Sequence, residues 1–172
     1  MPNKLNSPRD LLVHELKDLY SAENQLMKAL PRMAKAAESE ELKEAFQTHL
    51  KQTEGQIARL EKIGKQLGET MKGKKCKAME GLVEEGKETM EEEGDPVMLD
   101  LALIGAAQKV EHYEIAGYGT ARTLAELAGE DEVAETLQET LDEEGETDKL
   151  LTRLASELNV DASSGEDEEE EE

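Results

Sequence analysis

The stretch AAQKVEHYEIAGYGTARTLA, residues 106–125, decides the fold of this chain. Its apolar positions recur at alternating steps of three and four residues, the spacing that places side chains on one face of a helix. Two acids, Glu111 and Glu114, interrupt this apolar stripe near its middle. The sequence therefore predicts a long helix that carries carboxylates on its buried face.

Three further stretches share this periodicity, so we expect four long helices. The helix around the quoted stretch begins after Asp95-Pro96, a cap followed by proline at the first helical position, and stops at Gly129. The first helix begins after Ser7-Pro8 in the same way. The four predicted helices cover about residues 8–37, 40–67, 96–128 and 130–158.

The links between these helices predict their topology. The first and second helices, and likewise the third and fourth, are joined by short links, whereas Gly68 to Asp95 separate the second from the third. Short links produce antiparallel neighbours, and a long crossover lets the third helix run parallel to the second. Met79, Leu82 and Val83 predict a short extra helix within the crossover. The expected fold class is all-α: a ferritin-like antiparallel four-helix bundle with one long crossover.

Composition supports a single helical domain followed by a tail. Aromatic residues make up only 2% of the 172-residue chain and tryptophan is absent, so the core must be built from aliphatic side chains typical of helix bundles. We assign residues 1–160 to the bundle domain. Residues 161–172 carry eight acids and no base, and we expect them to form a disordered acidic tail.

The net charge of −22 limits the partners of the chain. Phosphate backbones and anionic lipid surfaces repel such a protein, so we expect neither nucleic acid nor membrane as partner. No apolar run approaches the roughly 20 residues that span a bilayer, and the N-terminus lacks a signal-peptide core, which predicts a cytoplasmic protein. The acidity serves either solubility or adaptation to a salt-rich cytoplasm. Cys76 lies among lysines that favour its thiolate somewhat, and we interpret it as an ordinary thiol.

Four glutamates interrupt the apolar stripes near the middle of three helices, and the remaining helix contributes polar residues at the same level. Several buried carboxylates at one level require cationic partners, bound metal or water-filled polar packing. Lys and Arg are absent from these stripes at that level, which leaves metal or polar packing. The residues in question are Glu23, Glu111, Glu114 and Glu144, with His49, Thr53 and Gln56 opposite them.

Carboxylate-bridged two-metal sites in bundles use one Glu from each of two helices and a Glu-x-x-His from each of the other two. Glu23 and Glu111 satisfy the first half of that pattern. The second half is not met, because the other helices offer Thr53-x-x-Gln56 and Glu144-x-x-Thr147. Replacement ligands open to the chain are Glu114, His49, Glu54 and Asp148, whereas His112 points about 100° away. The alternative is that each Glu is a boundary residue whose carboxylate reaches water.

Five sequence strings resemble the YciF/YciE-like family of ferritin-like proteins, once catalogued as a domain of unknown function. The resemblance covers about residues 8–158, and AAQKVEHYEIAGYGT is its most specific motif. The strings are DLYSAENQLMKALPRMAKAA (18–37), HLKQTEGQIARLE (49–61), KCKAMEGLVEEG (75–86), AAQKVEHYEIAGYGTARTLA (106–125) and TLDEEGETDKLLTRLA (140–155).

This resemblance implies a rubrerythrin-like bundle, a homodimer, a place in bacterial stress responses, and binding of iron or a similar metal such as manganese. The implied site holds one or two metal ions. Carried over by motif, its ligands are Glu23, Gln56, Glu111, Glu114, Glu144 and Asp148, and His49 and Thr53 line it. An apolar strip on the third helix that includes Leu99, Leu103 and Ile115 needs a cover, which either a second subunit or the crossover segment would supply.

Two functions of different classes follow from these observations. The first is a metal-binding protein that handles peroxide or iron during stress. The second is a structural or interaction dimer whose inward acids are the remains of a metal site. The resemblance supplies no established reaction, so the sequence leaves open whether the protein is an enzyme.

Overall fold

The computed structural model describes the backbone of residues 4–166 and the side chains through residue 158. Within that range the chain is all-helical, as predicted, and contains no strand. The predicted tail begins at residue 161, but the backbone of residues 161–166 continues the last helix; residues 167–172 lie outside the described range. The helices are α1 (Pro8–Ala36), α2 (Glu40–Leu67), α3 (Lys77–Glu91), α4 (Pro96–Leu127) and α5 (Asp131–Glu166).

The helix ends follow the local signals in the sequence. Ser7 Oγ accepts a hydrogen bond from Asp10 N at 3.1 Å, and Asp95 Oδ1 accepts one from Val97 N at 2.9 Å. Each cap precedes a proline at the first helical position. Gly68 ends α2 in the left-handed conformation, with φ of 70°, which glycine adopts without steric cost.

The four long helices pack in a closed ring. Helix α1 lies against α2 and α4, and α5 lies against the same two helices from the other side. Arg9, near the start of α1, donates to Leu67 O at the end of α2 at 2.7 Å, so these two helices are antiparallel. Gln66 near the end of α2 donates to Glu132 near the start of α5, which makes that pair antiparallel too. Helix α3 packs outside the ring against α1 and α4.

A buried carboxylate joins α4 to the link between α1 and α2. Asp100 is 1% exposed and accepts hydrogen bonds from the backbone amides of Glu38 and Ser39, both at 2.8 Å. Bonds to a charged acceptor are stronger than neutral ones, so Asp100 fixes the start of α2 against α4. Sequence reasoning did not single out Asp100, because its partners lie about sixty positions away in the chain.

The core consists of two apolar clusters with polar side chains between them. On α1, Leu19 belongs to one cluster and Leu26 to the other, and Glu23 lies between them. Leu103 belongs to the core, with 2% of its surface exposed, so its predicted place on an exposed interface strip is wrong. The reason is that α4 is apolar around most of its circumference, and periodicity alone does not choose its inward face.

Cys76 caps the start of α3. Its Sγ accepts a bond from Met79 N at 3.4 Å and lies 2.9 Å from the Tyr113 hydroxyl. Burial, followed by hydrogen bonding with Asp18, raises the pKa of this thiol. The expected preference for thiolate is therefore wrong, because Lys74 pairs with Asp18 at 3.0 Å instead of stabilising the sulfur.

None of the helices in the described range has the length and apolar character needed to cross a membrane.

Candidate metal centre

Four buried side chains from three helices converge midway along the ring. His49 on α2, Glu111 and Glu114 on α4, and Glu144 on α5 each present one ligand atom, and these atoms all lie within 4.8 Å of one another. All four residues are at most 3% exposed. Glu111 and Glu114 reach the same point because a three-residue step on a helix keeps side chains on one face. We call these four residues the candidate metal centre.

Two further buried residues join the centre to form a continuous polar layer across the ring. Gln56 on α2 donates its Nε2 to Glu144 Oε1 at 2.5 Å. Glu23 on α1 is fully buried, accepts a bond of 2.5 Å from the Tyr118 hydroxyl and neighbours Glu114. We use the term polar layer for Glu23, Gln56 and the candidate metal centre together.

Imidazole and carboxylates are in direct contact in this layer. His49 Nε2 lies 3.2 Å from Glu111 Oε1 and 3.8 Å from Glu144 Oε2. Thr53, one turn after His49, donates its hydroxyl to the His49 carbonyl at 2.9 Å, so that hydroxyl is already satisfied. His49 was expected to line the site or to replace a missing ligand, and the structure places its ring nitrogen among the carboxylate oxygens of the candidate metal centre.

Unpartnered polar atoms are concentrated in the polar layer. Among the described side chains, eight buried nitrogen or oxygen atoms lack a hydrogen-bond partner, and seven of them belong to this layer. They include both carboxylate oxygens of Glu114, Oε2 of Glu111 and Nε2 of His49. Leaving one such atom unsatisfied costs about 1–3 kcal/mol, so seven in one place indicate that a ligand belongs there.

Burial makes these carboxyls poor acids. It raises the pKa of Glu23, Glu111 and Glu114 well above the usual glutamate range, and the neighbouring carboxylates raise it further. Among the described side chains, no Lys or Arg forms an ion pair with any glutamate of the polar layer. Without a cation these carboxyls therefore keep their protons to higher pH than free glutamate does. A divalent cation would replace those protons and satisfy the free oxygens at the same time.

Outside the layer, an arginine and a glutamate hold Gln56 in place. Arg59 donates to both carboxylate oxygens of Glu143, at 2.8 and 2.7 Å, and Gln56 Nε2 donates to Glu143 at 3.0 Å. Burial alone would raise the pKa of Glu143, but the bonds from Arg59 and Gln56 outweigh it and lower that pKa. Glu143 is thus ionised. It accepts a hydrogen bond from the Gln56 amide nitrogen, which also donates to Glu144. The Gln56 carbonyl oxygen has no protein partner.

The structure brings most of the predicted site residues together, but not all. Glu23, Gln56, Glu111, Glu114 and Glu144 form the layer with His49, and Thr53 lies beside them. Asp148 is outside it: this carboxylate contacts His112 Nε2 at 3.2 Å and accepts from Gln108 at 3.1 Å. Glu54 is exposed on the outer face of α2.

Sequence reasoning missed the supporting pair Arg59 and Glu143. The signal available was their spacing, since Arg59 is three residues from Gln56 and Glu143 immediately precedes Glu144. Residues at those offsets flank an inward side chain on a helix surface. Read alone, however, both residues look like ordinary solvent-facing charges.

The donor set fits a metal ion of intermediate hardness. Carboxylates suit manganese and magnesium, whereas imidazole suits iron, zinc and copper, so a mixed set of one imidazole and several carboxylates suits iron or manganese. The layer holds four glutamates and one histidine, compared with the four and two of known carboxylate-bridged two-metal bundles. The residues present therefore fit a metal, with one imidazole fewer than the usual two-metal set.

These features define a class: an all-helical protein with a buried carboxylate and histidine group able to hold a metal ion. The chain belongs to the family described as "Domain of unknown function (DUF892)", which matches residues 7–163. The expected resemblance to YciF is thereby confirmed. Protein YciF of Escherichia coli strain K12 is 50% identical over 147 residues, covering 85% of this chain and 89% of the relative.

Solved structures agree with this family membership. The crystal structure of the Escherichia coli stress protein YciF matches with a TM-score of 0.87 and 47% identity, covering 90% of this chain and 98% of that one. YcfI, a proposed structural protein of Rhodopseudomonas palustris, matches with a TM-score of 0.84 and 40% identity, over 88% and 97% of the two chains. A Xanthomonas campestris protein at 24% identity and a TM-score of 0.72 shares the fold.

Proposed function

We propose that this protein is a ferritin-like, metal-binding stress protein that holds iron or manganese in its polar layer. The fold proposed is the antiparallel four-helix bundle of ferritin-like proteins, with α3 in the long crossover. One observation carries the proposal: seven unpartnered buried oxygen and nitrogen atoms converge where four helices meet. The relationship to the Escherichia coli stress protein YciF supports the role in stress.

In this proposal the ligands are His49, Glu111, Glu114 and Glu144, and Glu23 supplies the fourth carboxylate of a two-metal site. Bound there, a metal pair would supply two-electron chemistry suited to removing peroxide or oxidising ferrous iron. Asp148 is a ligand only if its contacts with His112 and Gln108 open, so it stands outside the set that we assign.

The other residues position the ligands and keep the layer dry. Tyr118 holds Glu23 through its hydroxyl, and Glu143 with Arg59 holds Gln56 against Glu144. The apolar clusters on both sides exclude water, which strengthens electrostatic interactions inside the layer. Glu111 and Glu114 take up protons when the metal leaves, so metal binding should release protons.

The proposal includes a cytoplasmic homodimer with a salt-tolerant acidic surface. The acidic charge fits a protein that works away from membranes and nucleic acid, and its self-repulsion weakens as salt rises. A melting temperature that does not increase with KCl concentration would contradict the adaptation to salt.

Metal stoichiometry tests the central part of the proposal. Protein purified without chelator is loaded with iron(II) or manganese(II) under anaerobic conditions, desalted and analysed for metal per chain. Glu111→Gln keeps the shape of the side chain but removes a ligand charge, so bound metal should fall. Glu54→Gln makes the same chemical change at an exposed position on α2 and should leave metal content unchanged. Wild type that retains less than about 0.1 metal per chain refutes the proposal.

The alternative function is a non-catalytic structural or interaction dimer with the remains of a metal site. One finding favours it: the related YcfI of Rhodopseudomonas palustris is named as a proposed structural protein. The same stoichiometry experiment separates the two, because the alternative predicts no metal in wild type. It also predicts that chelator leaves the melting temperature unchanged.

A further inference from the structure

A small cavity lies directly beside the candidate metal centre. Its volume is about 10 Å³, enough for one water-sized molecule, and its ten lining residues from α1, α2, α4 and α5 are all buried. His49 and Glu111 of the metal centre form one side of it. Seven of the other eight lining residues are apolar, among them Met33, Phe46 and Ala107.

The wall chemistry favours an apolar occupant. Thr147 is the remaining polar lining residue, and its hydroxyl already donates to the Glu143 carbonyl at 3.0 Å. Free polar atoms are therefore confined to the side formed by His49 and Glu111. A stable buried water needs two to four polar partners, and hydrogen peroxide would lose most of its hydrogen bonds against the apolar walls. A molecule such as dioxygen has no hydrogen bonds to lose.

A second cavity lies beside the first, on the side of α3. Its volume is about 20 Å³, it lies between α1, α3 and α4, and it shares Met33 and Val110 with the inner cavity as a common wall. Its outer lining includes Leu82 and Val83 of α3, both partly exposed, and the exposed Arg32. Methionine has three rotatable bonds and repacks readily, so Met33 is suited to act as a gate. Repacking of Met33 would join the two cavities into one apolar path from beneath α3 to the candidate metal centre.

We propose that this path is a binding site and access route for dioxygen. The inference rests on the proposed function and deepens it, because it names dioxygen rather than hydrogen peroxide as the reactant that approaches the metal centre through this channel. A polar reactant would lose hydrogen bonds along a path with these apolar walls. The small volume and the apolar walls of the cavity are what identify dioxygen as the occupant.

Xenon binding tests the cavity without any metal. Crystals of the full chain are pressurised with xenon, an apolar atom that reports gas-accessible cavities, and a peak is expected between Phe46 and Ala107. Ala107→Val adds two methyl groups to the cavity wall and should abolish that peak. The absence of xenon from wild-type crystals, or an undiminished peak in the variant, overturns the proposal.

A second pair of variants tests the route in a way that avoids crowding the core. A Cβ placed at Gly86, which lines the outer cavity and is buried, meets no atom within 4 Å, so Gly86→Leu fills the channel without a backbone clash. Gly81, on the same helix, is exposed and equally uncrowded, which makes Gly81→Leu the matched control. Both changes replace a helical glycine with a better helix former.

The readout is the oxidation rate of the iron(II)-loaded protein by dioxygen and, separately, by hydrogen peroxide. Gly86→Leu should slow the reaction with dioxygen several-fold relative to Gly81→Leu and leave the reaction with peroxide unchanged. Equal dioxygen rates in the two variants overturn the route, and equal slowing of both oxidants overturns its selectivity. A wild type that binds no iron refutes the proposed function instead, and the xenon peak then decides the cavity by itself.

Discussion

The polar layer predicts an unusual dependence of stability on pH in metal-free protein. Free glutamate has a pKa of about 4.3, and burial raises the pKa of Glu23, Glu111 and Glu114 well above their usual range. At pH values above about 4.3 and below the raised pKa values, the folded state holds more protons than the unfolded state. The free energy of unfolding therefore falls as pH rises above about 4.3, the reverse of the trend for carboxylates stabilised by cations.

The magnitude follows from the number of retained protons. Each one contributes a slope of about 1.4 kcal/mol per pH unit, so three raised groups give at most about 4 kcal/mol per unit. Glu114→Gln removes one titrating group and keeps the shape of the side chain. The variant should lose at most about 1.4 kcal/mol per pH unit of that slope. Its stability relative to wild type should therefore rise between pH 5 and pH 7, by up to about 3 kcal/mol, or up to roughly 6–12 °C in melting temperature for a chain of this size.

Urea unfolding followed by far-UV circular dichroism measures this effect at several pH values with chelator present and salt constant. Constant high salt reduces the contribution of surface repulsion from the net charge of −22. Glu54→Gln has the same charge change at an exposed site and should run parallel to wild type. A wild-type stability that is flat or rising between pH 5 and pH 7, or a Glu114→Gln profile parallel to it, refutes the reasoning about the layer.

Three further perturbations test the scaffold and the surface. Asp100→Ala leaves the Glu38 and Ser39 amides without their buried acceptor and should cost about 2–4 kcal/mol in urea unfolding; a loss below 1 kcal/mol would mean that water replaces it. Ile115→Glu should convert the proposed dimer to monomers by light scattering if the partly exposed face of α4 is the interface, and an unchanged mass contradicts that placement. Truncation after Val160 removes only acidic and small residues, so the melting temperature at moderate salt should be unchanged, and a marked fall would assign the tail a structural role.

The long helices could be predicted because their signals are local. Ser7, Asp95 and Gly68 act within a few residues of the helix ends that they define, and the observed caps use those residues. The extra helix could be predicted from a local signal too. Met79, Leu82 and Val83 are apolar residues at helical spacing, and they lie within α3, on the side that packs against the core. What periodicity did not determine was the inward face of α4, where Leu103 proved to be core.

The ligands of the polar layer were more predictable than the residues that support them. A glutamate in an apolar stripe conflicts with burial, and that conflict can be read in one helix without knowing its neighbours. The contacts of Arg59 with Glu143, and of Asp100 with two backbone amides, join positions 61 to 84 residues apart. Nothing local distinguishes these side chains from solvated charges, so only the folded chain identifies them.

The departure from the Glu-x-x-His motif has a geometric explanation on α2. His49 and Gln56 are seven residues apart, two helical turns, so both face the layer although no three-residue motif connects them. The His49 imidazole contacts Glu111 and Glu144. The Gln56 amide, two turns further along α2, donates to Glu144. A motif search rejects this helix because it asks for adjacent turns, whereas the helical face still presents an imidazole and an amide to the layer, about 10 Å apart along the axis. Thr147 stands at the motif's histidine position on α5, so the layer departs from the motif on both helices. Gln56→His supplies an imidazole at the motif's position on α2, and a rise in bound metal from one to two ions per chain would show that a two-metal site requires the second imidazole.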